Sequence, residues 1–360
     1  GGASRTLYKA GLDAGWEIDL FGGQRRSVEA SEADLQASRE EYNAALVTLC
    51  AEVGLNYLEL RGYQERLRVA TANLAIQEET FRLAKARVEA GLGDEFDLQR
   101  ARSSLETTRA VIPSLTASVE GTMNRLAVLA GEAPGALHGD LAARRPLPRV
   151  PETIAVGVPA DLLRRRPDIR KAERELAAQS ARLGVAESQL YPQLTLSGSI
   201  GLDALDASDL FTRDARGYSY GPRLSVPLFH AGALRKAVEI QDARLEQARI
   251  SYTSTVLQAL EEVEDALVSY REETGRNRAL RSGVDASRKA LLIAQASYAS
   301  GRTDLLDLLD AQRTLLGLED SLATSDTAVA VGIIRIYKTL GGGWQAASGT
   351  DHRSAEQKEP

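Results

Sequence analysis

From about Gln24 to Ala90 the chain keeps one apolar period with no proline. Val28, Leu35, Tyr42 and Leu49 are spaced by seven; the register then shifts by four to Val53 and resumes through Leu60, Leu67, Leu74, Phe81 and Val88. Heptads sustained in this way specify a helix that supercoils with another, and a four-residue insertion is a stutter that locally unwinds the supercoil. At about 1.5 Å per residue the segment extends roughly 95 Å as a helix. That exceeds the diameter of an ordinary domain, so the helix must lie along other long helices.

Gly91-Leu92-Gly93 breaks the period. Asp94 and Glu95 cap a returning helix that runs to about Ala130 and stops at Gly131. Pro113 lies inside it and predicts a kink or break near Val111. The same order then recurs. Val238, Leu245, Tyr252, Val263, Tyr270, Val284, Leu291 and Tyr298 restate the heptad positions, with polar Asn277 as the exception. Gly301 turns the chain, and a returning helix runs from Asp304 to Leu340, closed by Gly341-Gly342-Gly343-Trp344. At a shift of 210 positions Gly91 falls on Gly301, Asp94 on Asp304, Asp97 on Asp307, Leu98 on Leu308, Ala101 on Ala311 and Leu105 on Leu315. A repeat this long is not a solenoid unit and indicates an internal duplication with pseudo-symmetry. The expected organisation is a first repeat over 1–131, a connection and helix over 132–192, a second repeat over 193–344 and a polar, disordered tail over 345–360.

Strands precede the long helices. Residues 7–20 alternate, with Tyr8, Ala10, Leu12, Ala14, Trp16, Ile18 and Leu20 on one face and polar residues or glycine on the other. A second strand carries Leu194, Leu196, Ile200 and Leu202 on one face, and a third carries Tyr218, Tyr220, Pro222, Leu224, Val226 and Leu228. Pro222 and Pro227 predict irregular pairing there. Tyr8, Trp16, Tyr218 and Tyr220 near the strand ends, with Leu and Ile between, suggest a lipid-facing stripe with interfacial anchors. A soluble sandwich also alternates, but three strands split across the chain do not close a sheet, whereas strands from several protomers can close a barrel. Between the repeats, Pro167-Asp168 opens a helix to about Leu190, after an Arg164-Arg165-Arg166 run read as a solvated or salt-bridged basic patch.

No catalytic constellation emerges. His138, His230 and His352 are scattered, no Cys/His cluster has metal-ligand spacing, and no glycine loop joins a strand to a helix as a phosphate cradle requires, so no cofactor or metal is expected. The single cysteine, Cys50, excludes an intrachain disulfide; among Leu46, Leu49 and Val53 it reads as a buried, inert thiol. A net charge of −6 with both signs interspersed argues against nucleic acid. No run approaches the ~18 apolar residues of a membrane helix. The opening GGASRTLYKAG has neither an initiating Met nor a signal peptide, which suggests an internal fragment or a trimmed chain. The acidic series Asp304, Asp307 and Asp310 is the strongest chemical candidate, its spacing of three placing the carboxylates along one helical face. Capping and the helix dipole account for Asp304 and in part for Asp307; Asp310 lies beyond their reach, and its counterpart in the first repeat is Arg100. An intrachain salt bridge and a ring of carboxylates about a symmetry axis are the two readings of Asp310.

Together with the duplication, four stretches resemble the outer-membrane factor family of bacterial tripartite efflux pumps, the TolC-like ducts, in its lipoprotein branch. They are Gly15-Trp16-Glu17-Ile18-Asp19-Leu20-Phe21-Gly22, Leu162-Leu163-Arg164-Arg165-Arg166-Pro167-Asp168-Ile169-Arg170, Asp310-Ala311-Gln312-Arg313 and Leu340-Gly341-Gly342-Gly343-Trp344. The resemblance implies a mainly α chain with transmembrane β, assembled as a homotrimer into a helical barrel across the periplasm and a 12-stranded barrel in outer-membrane lipid. On that pattern a fourth strand, a further helix and a lipidated cysteine are expected before Gly1. It implies a passive duct, not an enzyme, opened by a periplasmic adaptor (a membrane fusion protein) that joins it to an inner-membrane pump of the RND type. It matches Gly91, Gly93, Asp94, Gly301, Thr303 and Asp304 to adaptor-contact tips, Asp307 and Asp310 to the constriction of the closed passage, and Tyr298 and Asp97 to the network holding the tips shut. Thr303 stands where some relatives carry a basic residue, with Arg302 adjacent. A duct for type I protein secretion or for metal ions, and a soluble coiled-coil scaffold, are the alternatives.

Overall fold

A computed structural model describes residues 6–148 and 165–342. Leu162, Leu163, Arg164, Gly343, Trp344, His352 and the tail over 345–360 lie outside the described residues. The elements in order are β1 (Tyr8–Ile18), α1 (Gly23–Glu89), α2 (Glu95–Leu129), α3 (His138–Leu141), α4 (Pro167–Ser188), β2 (Gln193–Ala204), β3 (Arg216–Ser225), α5 (Ala233–Ala299) and α6 (Leu305–Thr339). The duplication is visible in the helix bounds. α1 and α5 both have 67 residues and α2 and α6 both have 35, each second copy beginning 210 positions after the first. Two compact units divide the chain, residues 1–42 with 167–257 and residues 43–166 with 258–360.

In the first unit β1, β2 and β3 form an antiparallel sheet in that order. The register sets Leu12 beside Ile200 and Ile200 beside Tyr218, and Trp16 beside Leu196 and Leu196 beside Pro222. Leu12, Trp16, Leu196, Ile200, Tyr218 and Pro222 of that face are exposed in the chain, while Ile18, Leu194 and Leu202 are partly buried. The other face is small and polar, with Gly11, Gly201 and Gly217 in one row and Asp13, Ser199 and Ser219 in the next. Pairing runs unbroken through Pro222, contrary to the irregularity its ring suggests. β3 has a partner on one side only, where a proline nitrogen costs no ladder bond if it faces the open edge. The α4 helix docks on α1 through alanines: Ala30, Ala33 and Ala37 of α1 and Ala172, Ala178 and Ala181 of α4 are buried. Ion pairs Arg170–Glu40 (2.6 Å), Lys171–Glu41 (2.9 Å) and Arg182–Asp34 flank the contact. At the strand-to-helix corner the Asp19 carboxylate accepts the backbone N–H groups of Gln24 and Arg25, at 3.3 and 3.0 Å, and so caps α1. The second corner differs: Gly22 (φ 81°) and Gly232 (φ 80°) correspond, but His230 and Ala231 are extra, and Ala231 is forced to φ 48°.

In the second unit α1, α2, α5 and α6 share a core. Ala84, Ala101, Val284, Leu291, Tyr298, Leu305, Leu308 and Leu315 form one cluster, with Phe81 and Leu98 against it. A series of polar links ties α6 to its neighbours. Gln312 donates to Thr80 of α1 at 2.7 Å; Glu319 accepts from Asn73 of α1 and from Arg288 of α5; Asp320 pairs with Arg66 of α1. Asn277, the polar exception in the heptads, is buried and donates to Ser325 and Asp326 of α6, at 3.2 and 2.8 Å. A polar residue at one seam position fixes the register of paired helices at a cost in stability. α1 and α6 also approach closely at glycines: a Cβ on Gly62 would lie 2.4 Å from Thr327 Oγ1 and 3.1 Å from its Cβ. Of the arginine run, Arg166 is salt-bridged, pairing with Glu262 at 2.7 Å and donating to the Thr339 carbonyl.

Three further expectations are corrected. α2 is continuous through Pro113, with no break near Val111. Pro113 and Arg109, whose carbonyl loses its helical partner, both face solvent, so water satisfies the carbonyl while buried Thr108 and Leu115 hold the helix on either side. Cys50 is exposed, not buried. The first heptad train is likewise not the buried face within the chain: Val28, Leu35, Tyr42 and Leu49 are 57%, 54%, 65% and 42% exposed. The second train is exposed at its first member, Val53 (38%), and turns inward from there, with Leu60 buried and Leu67, Leu74, Phe81 and Val88 partly so.

Two outcomes follow for stability. Gly62→Ala should lower the apparent melting temperature of the purified protein by an overpacking cost of about 1–3 kcal/mol, because Thr327 is short and its hydroxyl is held by the Ala323 carbonyl. Gly54→Ala should cost less, since its new methyl meets only the flexible end of Ile334. Asp19 is held below the ordinary carboxylate range, chiefly by the N–H of Arg25. A lowered native value means its contribution is complete above the unfolded carboxyl range and is lost as pH falls through the native value. Asp19→Asn should therefore melt lower than wild type at neutral pH, with the gap closing as pH falls through the lowered native value.

Candidate functional site

Both hairpin tips end their long helix with one hydrogen-bond motif. In the first, the N–H of Leu92 donates to the Arg87 carbonyl at 2.8 Å and that of Gly91 to Val88 at 2.9 Å. In the second, Arg302 donates to Ser297 at 2.9 Å and Gly301 to Tyr298 at 3.0 Å. Gly91 and Gly301 take φ 70° and 69°, the left-handed turn that a glycine makes without a Cβ penalty. The returning helices begin differently. Asp94 accepts the N–H of Phe96 at 3.0 Å, whereas Asp304, in the same N-cap position, makes no cap bond. Capping therefore does not explain Asp304, and of the expected account only the helix dipole remains. Thr303 Oγ1 is buried without a partner among the described residues.

The two tips belong to one end of the second unit, since Leu98 of α2 packs on the cluster that holds Leu305 and Leu308 of α6. Leu92, Phe96 and Leu306 stay exposed there, and the Arg100 guanidinium lies 4.6 Å over the Phe96 ring. Asp97 is half-buried. Tyr298 is 6% exposed, and no hydrogen bond joins it to Asp97 among the described residues. Its partner within the chain is Arg87: the guanidinium lies 4.8 Å over the Tyr298 ring and Nη1 donates to the Tyr298 carbonyl at 3.4 Å. Sequence reasoning passed over Arg87 because a cation in the last turn of a helix is expected for the dipole alone. The available signal was its asymmetry, since Arg87 corresponds to Ser297 and Tyr298 to Val88 in the repeat.

Asp304, Asp307 and Asp310 are exposed on α6. Asp310 pairs with Arg313 at 2.6 Å, one turn along the same helix, with both side chains mostly in solvent. Such a pair contributes little, roughly 0–1 kcal/mol. Asp310 and its repeat counterpart Arg100 line one groove with Gln77, Ser103, Thr107 and Arg313. Among the described residues no group of three or more His, Cys, Asp or Glu could hold a metal, and no helix is long and apolar enough to cross a membrane.

The family profile described as outer membrane efflux protein matches residues 1–132 and 158–342. Nodulation protein T of Rhizobium leguminosarum bv. trifolii is 37% identical over 87% of this chain and 67% of its own length. The pyoverdine export outer membrane protein OpmQ of Pseudomonas putida is 34% identical over 96% of this chain and 73% of its own. The outer-membrane channel OprN superposes with a TM-score of 0.91 at 40% identity, over 95% of this chain and 76% of that one. The scaffold reading falls with these matches. The long helical hairpins, the exposed apolar sheet face and the paired tips are thus those of the outer membrane efflux protein family, to which this chain belongs, as an outer-membrane channel of an efflux system and not an enzyme.

Proposed function

We propose that the chain is one protomer of a homotrimeric exit duct, closed at the two tips by Tyr298, Asp97, Asp307 and Asp310 and opened when a periplasmic adaptor engages Gly91, Gly93, Asp94, Gly301, Thr303 and Asp304. The adaptor couples the duct to an inner-membrane pump of the RND type, which supplies the energy. The two repeats, 1–131 and 193–344, move as the two hairpins of each protomer, with 132–192 between them. The observation that carries the gate is the pair of carboxylates, Asp307 and Asp310, exposed beside the tips, with Asp310 beyond the reach of the helix dipole. Asp307 has no ion-pair or hydrogen-bond partner among the described residues, and the Asp310–Arg313 pair is solvent-screened. Three copies of such a pair around one axis narrow the passage and favour cations.

Trimerisation is supported by what the chain leaves bare. Val28, Leu35, Tyr42 and Leu49 form a heptad seam left exposed among the described residues. β1 and β3 each present an open edge among the described residues, which closure with other copies removes. The exposed Leu12, Trp16, Ile200 and Tyr218 then face lipid, and the glycine and serine rows face the passage. The only methionine, Met123, is buried among Leu60, Val119 and Leu126, so no thioether lines a path for soft metal ions.

Purified trimers in planar bilayers test the gate. Asp310→Ala should raise single-channel conductance and lower cation selectivity. Conductance and selectivity identical to wild type would overturn the assignment of Asp310. Trimer formation should weaken with Leu35→Glu, read as monomer on size exclusion in detergent, because a charge would enter a seam of ~25 cal/mol per Å² apolar burial.

A further inference from the structure

Arg87 is the one residue whose backbone closes the first tip and whose side chain holds the second. Its carbonyl accepts the Leu92 N–H, and its guanidinium covers the Tyr298 ring and donates to the Tyr298 carbonyl, which already accepts from Gly301. Arg87 Nη2 also lies beside Gly301, 3.7 Å from where a Cβ would stand. The link crosses the repeats, from the long helix of the first to the tip of the second. It has no mirror copy, because Ser297 and Val88 stand in the equivalent places. Among the described residues no carboxylate pairs with Arg87, and no other polar bond joins α1 to α5 or α6 at the level of the tips. The next is Thr80 with Gln312, two turns or about 10 Å up the helix.

We propose that Arg87 is the latch of the closed gate, a positioning residue that holds the second tip against α1 through Tyr298. This rests on the reading of the tips as the gate. The position of the links sets the mechanism. Above Thr80 the α6 helix is tied to α1 and α5 by Gln312, Glu319 and Asp320. Below it, the second tip is held to α1 by apolar packing and Arg87. Opening therefore bends the second hairpin below the Gln312 link, and the guanidinium leaves the ring. A ring face and a carbonyl grip a cation less than a carboxylate does, which makes this link releasable, unlike the carboxylate-anchored links above it. The core around Tyr298, with Leu305 and Leu308, restores the closed position when the load is removed.

The test compares wild type with Arg87→Ala, Arg87→Lys, Tyr298→Leu and the Arg87→Ala/Tyr298→Leu double variant as purified trimers in planar bilayers. Arg82→Ala serves as control, since Arg82 pairs with Glu79 of its own helix. Arg87→Ala and Tyr298→Leu should each give a several-fold rise in open probability, and the double variant should rise no further than the larger single one. Arg87→Lys should fall between, because an ammonium keeps the charge over the ring without the guanidinium's fixed fork. Trimer yield should stay at wild-type levels, which a purely structural role would not allow, and Arg82→Ala should leave open probability unchanged. Additive single effects, or an unchanged open probability in Arg87→Ala, overturn the latch. If Arg87→Ala gives no trimer, an unchanged Arg87→Lys overturns it. An unchanged Arg87→Ala beside an altered Asp310→Ala leaves the gate reading standing; if neither responds, the gate reading itself fails.

Discussion

A helix of 67 residues has no way to bury an apolar stripe against itself. Everything in this molecule follows from that lateral demand. Within the second unit the demand is met by the partner hairpin. Leu60, Val284, Leu291 and Tyr298 turn inward, and the polar residues Gln312, Glu319, Asn277 and Ser325 fix which turn of α6 lies beside which turn of α1 and α5. Along the first half of α1 the inward face is mostly alanine, and the larger heptad residues point away. The same sequence pattern thus serves two interfaces, one inside the chain and one left open among the described residues.

The duplication converts one hairpin into two that are alike in backbone and unlike in side chain. The tips share a helix stop to within 0.1 Å in each hydrogen bond. They differ at the positions that carry charge: a capping Asp94 against an uncapped Asp304, Arg100 against Asp310, Arg87 against Ser297. Identical backbones give the two hairpins equal length so that both tips reach one level. On the proposed mechanism the divergent side chains let one tip be held and the other do the holding, an asymmetry that two identical hairpins, with no preferred order of release, would lack.

Much of this was legible from residues alone. Gly91, Gly131, Gly301 and Gly341 marked the helix stops because a left-handed turn is costly for any other residue, and their common spacing exposed the repeat. Alternation in β1, β2 and β3 predicted both faces of the sheet. What was not legible depended on who stands opposite. Heptad spacing says that Leu35 and Leu49 belong to a seam but not whose seam, and Cys50, next to Leu49, shared that fate. Pro113 signals a lost hydrogen bond, yet whether the helix breaks depends on whether water reaches the Arg109 carbonyl. Pro222 was tolerated for a related reason, at an edge. Asp304 looked like a cap because position implies one, but a side chain must also turn toward the helix. Arg87 was hidden because a lone arginine in a final turn already has an ordinary explanation, and only the fold reveals the tyrosine from 211 positions later beneath it.

The central claim is that the passage is shut at the second tip, by the carboxylates of α6. The most direct measurement is a structure of the intact assembly in a lipid nanodisc without adaptor or pump, with the radius of the central passage traced along its axis. The account predicts three chains, with the narrowest point at the level of Asp307 and Asp310 and the Arg87–Tyr298 contact intact in each. A passage that is wide at that level and narrowest elsewhere would contradict it.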